Sequence, residues 1–178
     1  MSYARLQEHQ GLFWPCPAKD HPGTPRMFEN LSFYHPDKRA KLHGIAPGRP
    51  AELTDRHYPY ILSTGRLGNH YLSGAQTRRT AALMKKAPVP VAEIHTSVAE
   101  RILLRMGDRI RLTTRRGSLI LDYRISPDIH PTTIFVPFHW GGEHSINALT
   151  NDALHPVSRM PEFKICATRI ERVAGDSE

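Results

Sequence analysis

Hydrophobic alternation is absent from the first third of the chain and regular in the rest. Residues 1–57 hold seven of the fifteen prolines (Pro15, Pro17, Pro22, Pro25, Pro36, Pro47 and Pro50) and show neither helical nor strand periodicity. Segments such as Trp14-Pro15-Cys16-Pro17 must extend or turn, because a residue before proline avoids the α region. Phe13, Trp14, Met27, Phe28, Phe33 and Tyr34 are nevertheless too apolar for a free tail. The reading is an irregular, Pro-rich arm over 1–57, without regular secondary structure, that packs on something larger.

From Tyr58 the pattern sharpens. Tyr60-Ile61-Leu62-Ser63 reads as a short buried strand ending at Gly65. Gly74 to Ala87 reads as one basic helix stopped by Pro88, and Val91 to His95 as a second strand. Thr96 or Ser97 then caps a helix, with Ser97 and Glu100 in capping-box spacing and Gly107 as terminator. Ile110 and Leu112 alternate with Arg109, Arg111 and Thr113. After an Arg115-Arg116-Gly117 turn, Leu119, Leu121, Tyr123 and Ile125 alternate with Ile120, Asp122 and Arg124. That is a hairpin with one buried and one basic face. Ile134 to Phe138 and Phe163 to Val173 supply two more strands. Five or six short strands with two helices between them predict a mainly β chain, a small barrel over 58–174 with two or three short helices.

Composition narrows the class. At 178 residues the chain is one core plus an appendage, about 1.2 domains, and needs no disulfide or metal staple. No run of 18 apolar residues exists, so no membrane-spanning helix is expected, and the first residues carry no secretory h-region. Cys16 and Cys166 are too few for a disulfide framework, an iron–sulfur cage or a four-cysteine zinc site, so a reducing, cytoplasmic setting is expected. Lys and Arg number 24 against 17 Asp and Glu, a net charge of +7, with eleven further histidines. Such a surplus favours an anionic partner without choosing among nucleic acid, lipid or a phosphate-bearing ligand.

Candidate chemistry gathers after the first strand. In Thr64-Gly65-Arg66 the glycine lets backbone approach a ligand, and Arg66 adds a donor fork suited to phosphate; an ordinary strand-ending turn is the simpler alternative. Asn69-His70-Tyr71, Ser73 and Thr77-Arg78-Arg79 extend a donor-rich stretch that holds no acid before Glu93. It fits an anion-binding loop, and equally a solvated basic face. His139-Trp140-Gly141-Gly142-Glu143-His144 lacks the helical i, i+4 spacing of zinc motifs, so no metal site is expected there. No P-loop, dinucleotide fingerprint, nucleophile elbow or paired-Cys motif is present, so the chain reads as a holder of a ligand, with no catalytic residue of its own.

Six ordered motifs then point to a family. Thr64 to His70 with Thr77-Arg78, Met106-Gly107-Asp108 before the hairpin, Pro137-Phe138-His139-Trp140, Asn147 to Thr150, and Pro161 to Ala167 resemble the C-terminal dinucleotide-binding domain of the bis-molybdopterin-guanine-dinucleotide oxidoreductases. Within it, assimilatory nitrate reductases are the nearest likeness and formate dehydrogenase catalytic subunits the next. Trp14-Pro15-Cys16-Pro17 and His21 to Arg26 look like the connecting segment of those enzymes. The resemblance implies a six-stranded double-psi β-barrel and a molybdenum bis(molybdopterin guanine dinucleotide) cofactor shared with upstream domains or a partner subunit. It also implies that this chain carries no metal ligand itself and is inactive alone. Residue by residue, it implies cofactor contacts at Thr64, Gly65, Arg66, Asn69, His70, Ser73, Thr77, Arg78, His139, Asn147 and Lys164. Asn147 suits a pterin or guanine edge, and Lys164 a pyrophosphate. The chain departs from the pattern at Asn69-His70-Tyr71-Leu72, where many relatives carry Glu-His-Trp-His and so a second imidazole. A rival from another class, a basic nucleic-acid-binding barrel, is motivated by the charge and the Arg109, Arg111 face. It lacks the aromatic platform that stacks single-stranded bases.

Overall fold

A computed structural model of the chain describes residues 1–175. It divides into two compact units, Met1–Pro47 and Gly48–Glu178. The first is largely irregular, but helix α1 (Tyr3–Glu8) corrects the expectation of no regular structure there. Its cap is the Ser2 hydroxyl, which accepts from the Arg5 N–H at 3.4 Å. Six residues are too short for a periodic signal, so pattern alone passes over them. In the same unit Phe28 stacks on Phe33 at 4.7 Å and meets Tyr34 edge-on at 5.2 Å.

The second unit is a closed barrel of six strands: β1 (Tyr60–Gly65), β2 (Val91–Ile94), β3 (Arg109–Thr113), β4 (Ser118–Ile125), β5 (Thr133–Pro137) and β6 (Cys166–Val173). Around the barrel they run β1-β5-β2-β4-β3-β6. The mainly β, six-stranded barrel with short helices is the architecture expected. Alternating strand positions fill its interior, where Leu62, Ile94, Ile110, Leu112, Ile134 and Val136 are shielded from water, and Leu149 of the loop after β5 joins them. Each such side chain contributes about 1.5–3 kcal/mol on burial.

Four details differ from expectation. Residues 48–57 lie in the barrel unit because Glu52 and Asp55 bond Arg115 and Arg116 of the hairpin turn. The single helix expected over 74–87 is a 3₁₀ turn (Thr77–Arg79) and helix α2 (Ala81–Lys86), interrupted where Thr80 is extended. Helix α3 (Thr96–Arg101) is capped one residue early, by the His95 ring accepting from the Ser97 N–H, and ends before Leu103 turns left-handed at φ 54°. The hairpin's outer face is also less basic than expected. Arg109 pairs with Asp122 at 3.2 Å, and Arg111 lies opposite Glu171 of β6.

The register positions everything that follows. β1 and β5 run parallel, with Gly65 opposite Pro137, while β6 runs antiparallel to β1, with Cys166 opposite Leu62. The ends of β1 and β5 and the approach to β6 therefore meet at one mouth.

Candidate functional site at the barrel mouth

That mouth holds a cavity of about 340 Å³. Thr64 of β1, Ser73 of the following loop and Asn147 of the loop after β5 supply its polar lining. Leu72, Phe138, Pro161 and Phe163 make the apolar walls. The Lys164 ammonium donates to the Thr64 carbonyl at 2.5 Å and sits 5.5 Å from the centre of the Phe163 ring. The Thr64 hydroxyl donates to the Phe163 carbonyl at 3.2 Å. Residues about 100 positions apart in sequence are thus stitched into one rim.

The other residues singled out in the sequence fall into three groups. Arg66 is exposed at the start of the loop, beside the mouth. Asn69 lines a separate cavity of about 260 Å³ with Lys86, Phe135 and Arg124. Gly65 has a packing reason of its own, because an added Cβ would stand 2.3 Å from Cε2 of Phe135. His70, Thr77, Arg78 and His139 turn inward. His139 is fully buried; its Nδ1 lies 2.5 Å from the Leu72 carbonyl and its Nε2 accepts from the Leu67 N–H at 2.7 Å. His70 Nε2 donates to the Ala87 carbonyl at 2.8 Å, and Nδ1 meets the Thr77 hydroxyl at 3.1 Å. That hydroxyl also accepts from the Tyr71 N–H, and Arg78 Nε donates to the Gly74 carbonyl at 3.3 Å. These four side chains hold the loop and keep no free ring nitrogen for a ligand.

The charge pattern is one-sided. Arg66, Arg79, Lys85 and Lys86 are exposed along a stretch with no carboxylate between Asp55 and Glu93. An anion meets little opposing charge there.

Several residues that shape the mouth were not visible from sequence. Phe138 and Phe163 read only as strand residues. Glu52 read as part of the arm, yet its carboxylate takes both Nη atoms of Arg116 at 2.8 Å, a further bond from Arg115, and the Ala167 N–H at 3.0 Å. Arg116 also donates to the Leu149 carbonyl at 2.9 Å, in the loop that carries Asn147. Burial pushes the Glu52 carboxyl up, but Arg116, the Ala167 N–H and Arg115 outweigh it and hold it below its usual range.

Cys166 is buried, and its sulfur accepts from the Asn151 N–H at 3.2 Å. Burial pushes its thiol up, which suppresses the reactive thiolate. In the folded chain a thiol reagent is therefore expected to modify Cys16 only, with Cys166 reacting once denaturant is added. Rapid native labelling of both would contradict the buried placement.

The mouth suits a long anion with a flat polar head. Aromatic walls can cover ring faces, a carboxamide and two hydroxyls can meet polar edges, and the Lys164 ammonium on the rim can meet phosphate. The donor chemistry thus fits a pterin dinucleotide.

Comparison with known proteins agrees. Residues 60–167 match the family model described as "Molydopterin dinucleotide binding domain". The chain is 41% identical over 172 residues to the assimilatory nitrate reductase catalytic subunit of Bacillus subtilis (strain 168), covering 96% of this chain and 24% of that protein. It is 36% identical over 173 residues to the F420-dependent formate dehydrogenase subunit alpha of Methanocaldococcus jannaschii, covering 97% and 25%. Acetylene hydratase from Pelobacter acetylenicus shares the fold, with a TM-score of 0.58 at 22% identity over 81% of this chain and 22% of that one. The chain spans about a quarter of the length of the curated relatives it matches. In this family the cofactor implied is molybdenum bis(molybdopterin guanine dinucleotide). A barrel closed by this register and matched across most of its strands belongs to the molybdopterin dinucleotide binding domain family.

Proposed function

We propose that this chain is the cofactor-binding domain of a nitrate-reducing molybdenum oxidoreductase. The observation that carries the reading is the 41% identity to an assimilatory nitrate reductase catalytic subunit across 96% of the chain. Thr64, Ser73, Asn147, Lys164 and Arg66 would hold the dinucleotide: hydroxyls and carboxamide at polar edges, ammonium and guanidinium at phosphate. Gly65 and Asn69 flank that site. His70, Thr77, Arg78 and His139 keep its loop in shape. When bound, the cofactor supplies the metal at which substrate gives up an oxygen atom and two electrons pass. This chain's part is to bind, orient and wall off one side of the cofactor. The rest of the catalytic machinery, including the metal's protein ligand, would belong to the other three-quarters of an enzyme of the relatives' length. The arm's exposed Phe13, Trp14, Tyr34, Leu42 and Ile45 are suited to pack on it. The two free cysteines suit a cytoplasmic setting. The 36% identity to a formate dehydrogenase alpha subunit favours a second reading, with formate as substrate.

The test is cofactor content in the assembled enzyme. Arg66→Ala and Lys164→Ala should each lower molybdenum and released guanine nucleotide per chain, through a roughly ten- to hundredfold loss of affinity, the size of a lost charge-assisted hydrogen bond. Unchanged occupancy in both variants would refute the site. Reduction of nitrate but not oxidation of formate by the wild type would decide the substrate.

A further inference from the structure

We propose that His139 is a positioning residue: it fixes the backbone of the loop from Leu67 to Ser73 in the shape that presents the mouth to a nucleotide, and itself touches no ligand. This rests on the reading of the mouth as a dinucleotide site. The carbonyl of Leu72 can only accept, so the Nδ1 atom 2.5 Å from it carries the proton, and Nε2 is the acceptor for the Leu67 N–H at 2.7 Å. One imidazole therefore bridges both ends of a six-residue turn. The turn needs it, because Leu72 sits in the left-handed region at φ 46°, where a branched side chain is disfavoured, and it is also exposed. Leu72 and Ser73 line the cavity directly. His139 cannot drift, since it is fully buried beside His70 and Trp140, with ring centres 5.5 and 5.9 Å away. His70 is locked in the opposite sense, donating from Nε2 to Ala87. Together the two rings commit all four nitrogens to the loop's shape.

The two bonds can be separated by substitution. An Asn side chain places a donor near the position of Nδ1, a Gln side chain an acceptor near that of Nε2, and Phe fills the volume with neither. GDP serves as the probe, since it carries the guanine and the pyrophosphate. Binding would be followed in the full chain by NMR, with amide hydrogen exchange at Leu67 alongside. His139→Gln should keep Leu67 protected yet lose GDP affinity about tenfold or more, the effect of one lost hydrogen bond. His139→Asn should expose Leu67 to exchange yet bind GDP nearly as the wild type does, because the Leu72 carbonyl keeps its donor. His139→Phe should lose both. Equal GDP affinity in Gln and wild-type chains, or wild-type ring nitrogens showing the proton on Nε2, would overturn the proposal. A role in stability alone would move both readouts together in every variant, which would also overturn it. Should His139→Phe fail to fold, the Asn and Gln pair still decides. No GDP perturbation at the mouth of the wild-type chain would overturn the dinucleotide reading, and the positioning role with it, while the exchange pattern would still report the bridge.

Discussion

Gly74→Ala is expected to lower the stability of the folded chain by about 2–5 kcal/mol. The amount combines a left-handed penalty of roughly 1–2 kcal/mol with an overpacking cost of roughly 1–3 kcal/mol. Gly74 sits at φ 73°, and a Cβ there would stand 2.5 Å from the backbone carbonyl of His139. A side chain could swing away, but that carbonyl belongs to the segment whose ring pins the loop. Gly68, in the same loop, has open space around it and no positive φ, so Gly68→Ala should change stability by less than about 0.5 kcal/mol. Chemical denaturation of the two variants beside wild type checks this. Equal effects would show that the loop tolerates a shift at Gly74.

Glu52→Ala should cost about 2–4 kcal/mol, somewhat below the 3–5 kcal/mol of a fully buried pair, because Arg115 is partly in water. The Glu52 side chain is only 10% exposed and joins the segment before β1 to the hairpin turn and to β6. Asp55 reinforces it: the N–H groups of Tyr58 and His57, then Arg115, hold its carboxyl low, and the Arg115 guanidinium lies 4.7 Å from the centre of the Tyr58 ring. At the other end of the barrel Arg172, with the N–H groups of Arg105 and Gly175, holds Asp108 low. The sign follows from linkage. A carboxyl lowered on folding adds stability above its ordinary value, near 4.5 for Glu52 and 3.8 for the two Asp. That contribution is lost as pH falls through the lowered folded value. Thermal midpoints should thus hold steady above about pH 5 and fall in more acid solution, with a shallower acid fall in Glu52→Gln. Identical acid limbs in the two chains would remove Glu52 from the account.

Much of the barrel was legible because strand alternation is a local signal: Ile110 and Leu112 face inward as read, and the turn at 114–117 falls where Gly117 marked it. Helix lengths were misjudged where backbone geometry overrode composition, at the extended Thr80 and at the left-handed Leu103. The motif residues near Thr64 and Asn147 were legible as chemistry, but their division of labour was not. Whether an imidazole faces a ligand or its own backbone depends on partners far along the chain, such as Leu67 for His139, 72 positions away. Glu52 was hidden for the same reason, its guanidinium partners lying 63 and 64 positions downstream.

β6 pairs with both β1 and β3, so the strand nearest the end of the barrel's sequence is the staple that turns an open sheet into a closed ring. During synthesis the other five strands emerge first and wait, with the edges of β1 and β3 unpaired and open to pairing with a stray strand. Lys164 arrives only with β6. The rim that Lys164 and Thr64 form at the mouth is therefore completed in the same act that closes the ring.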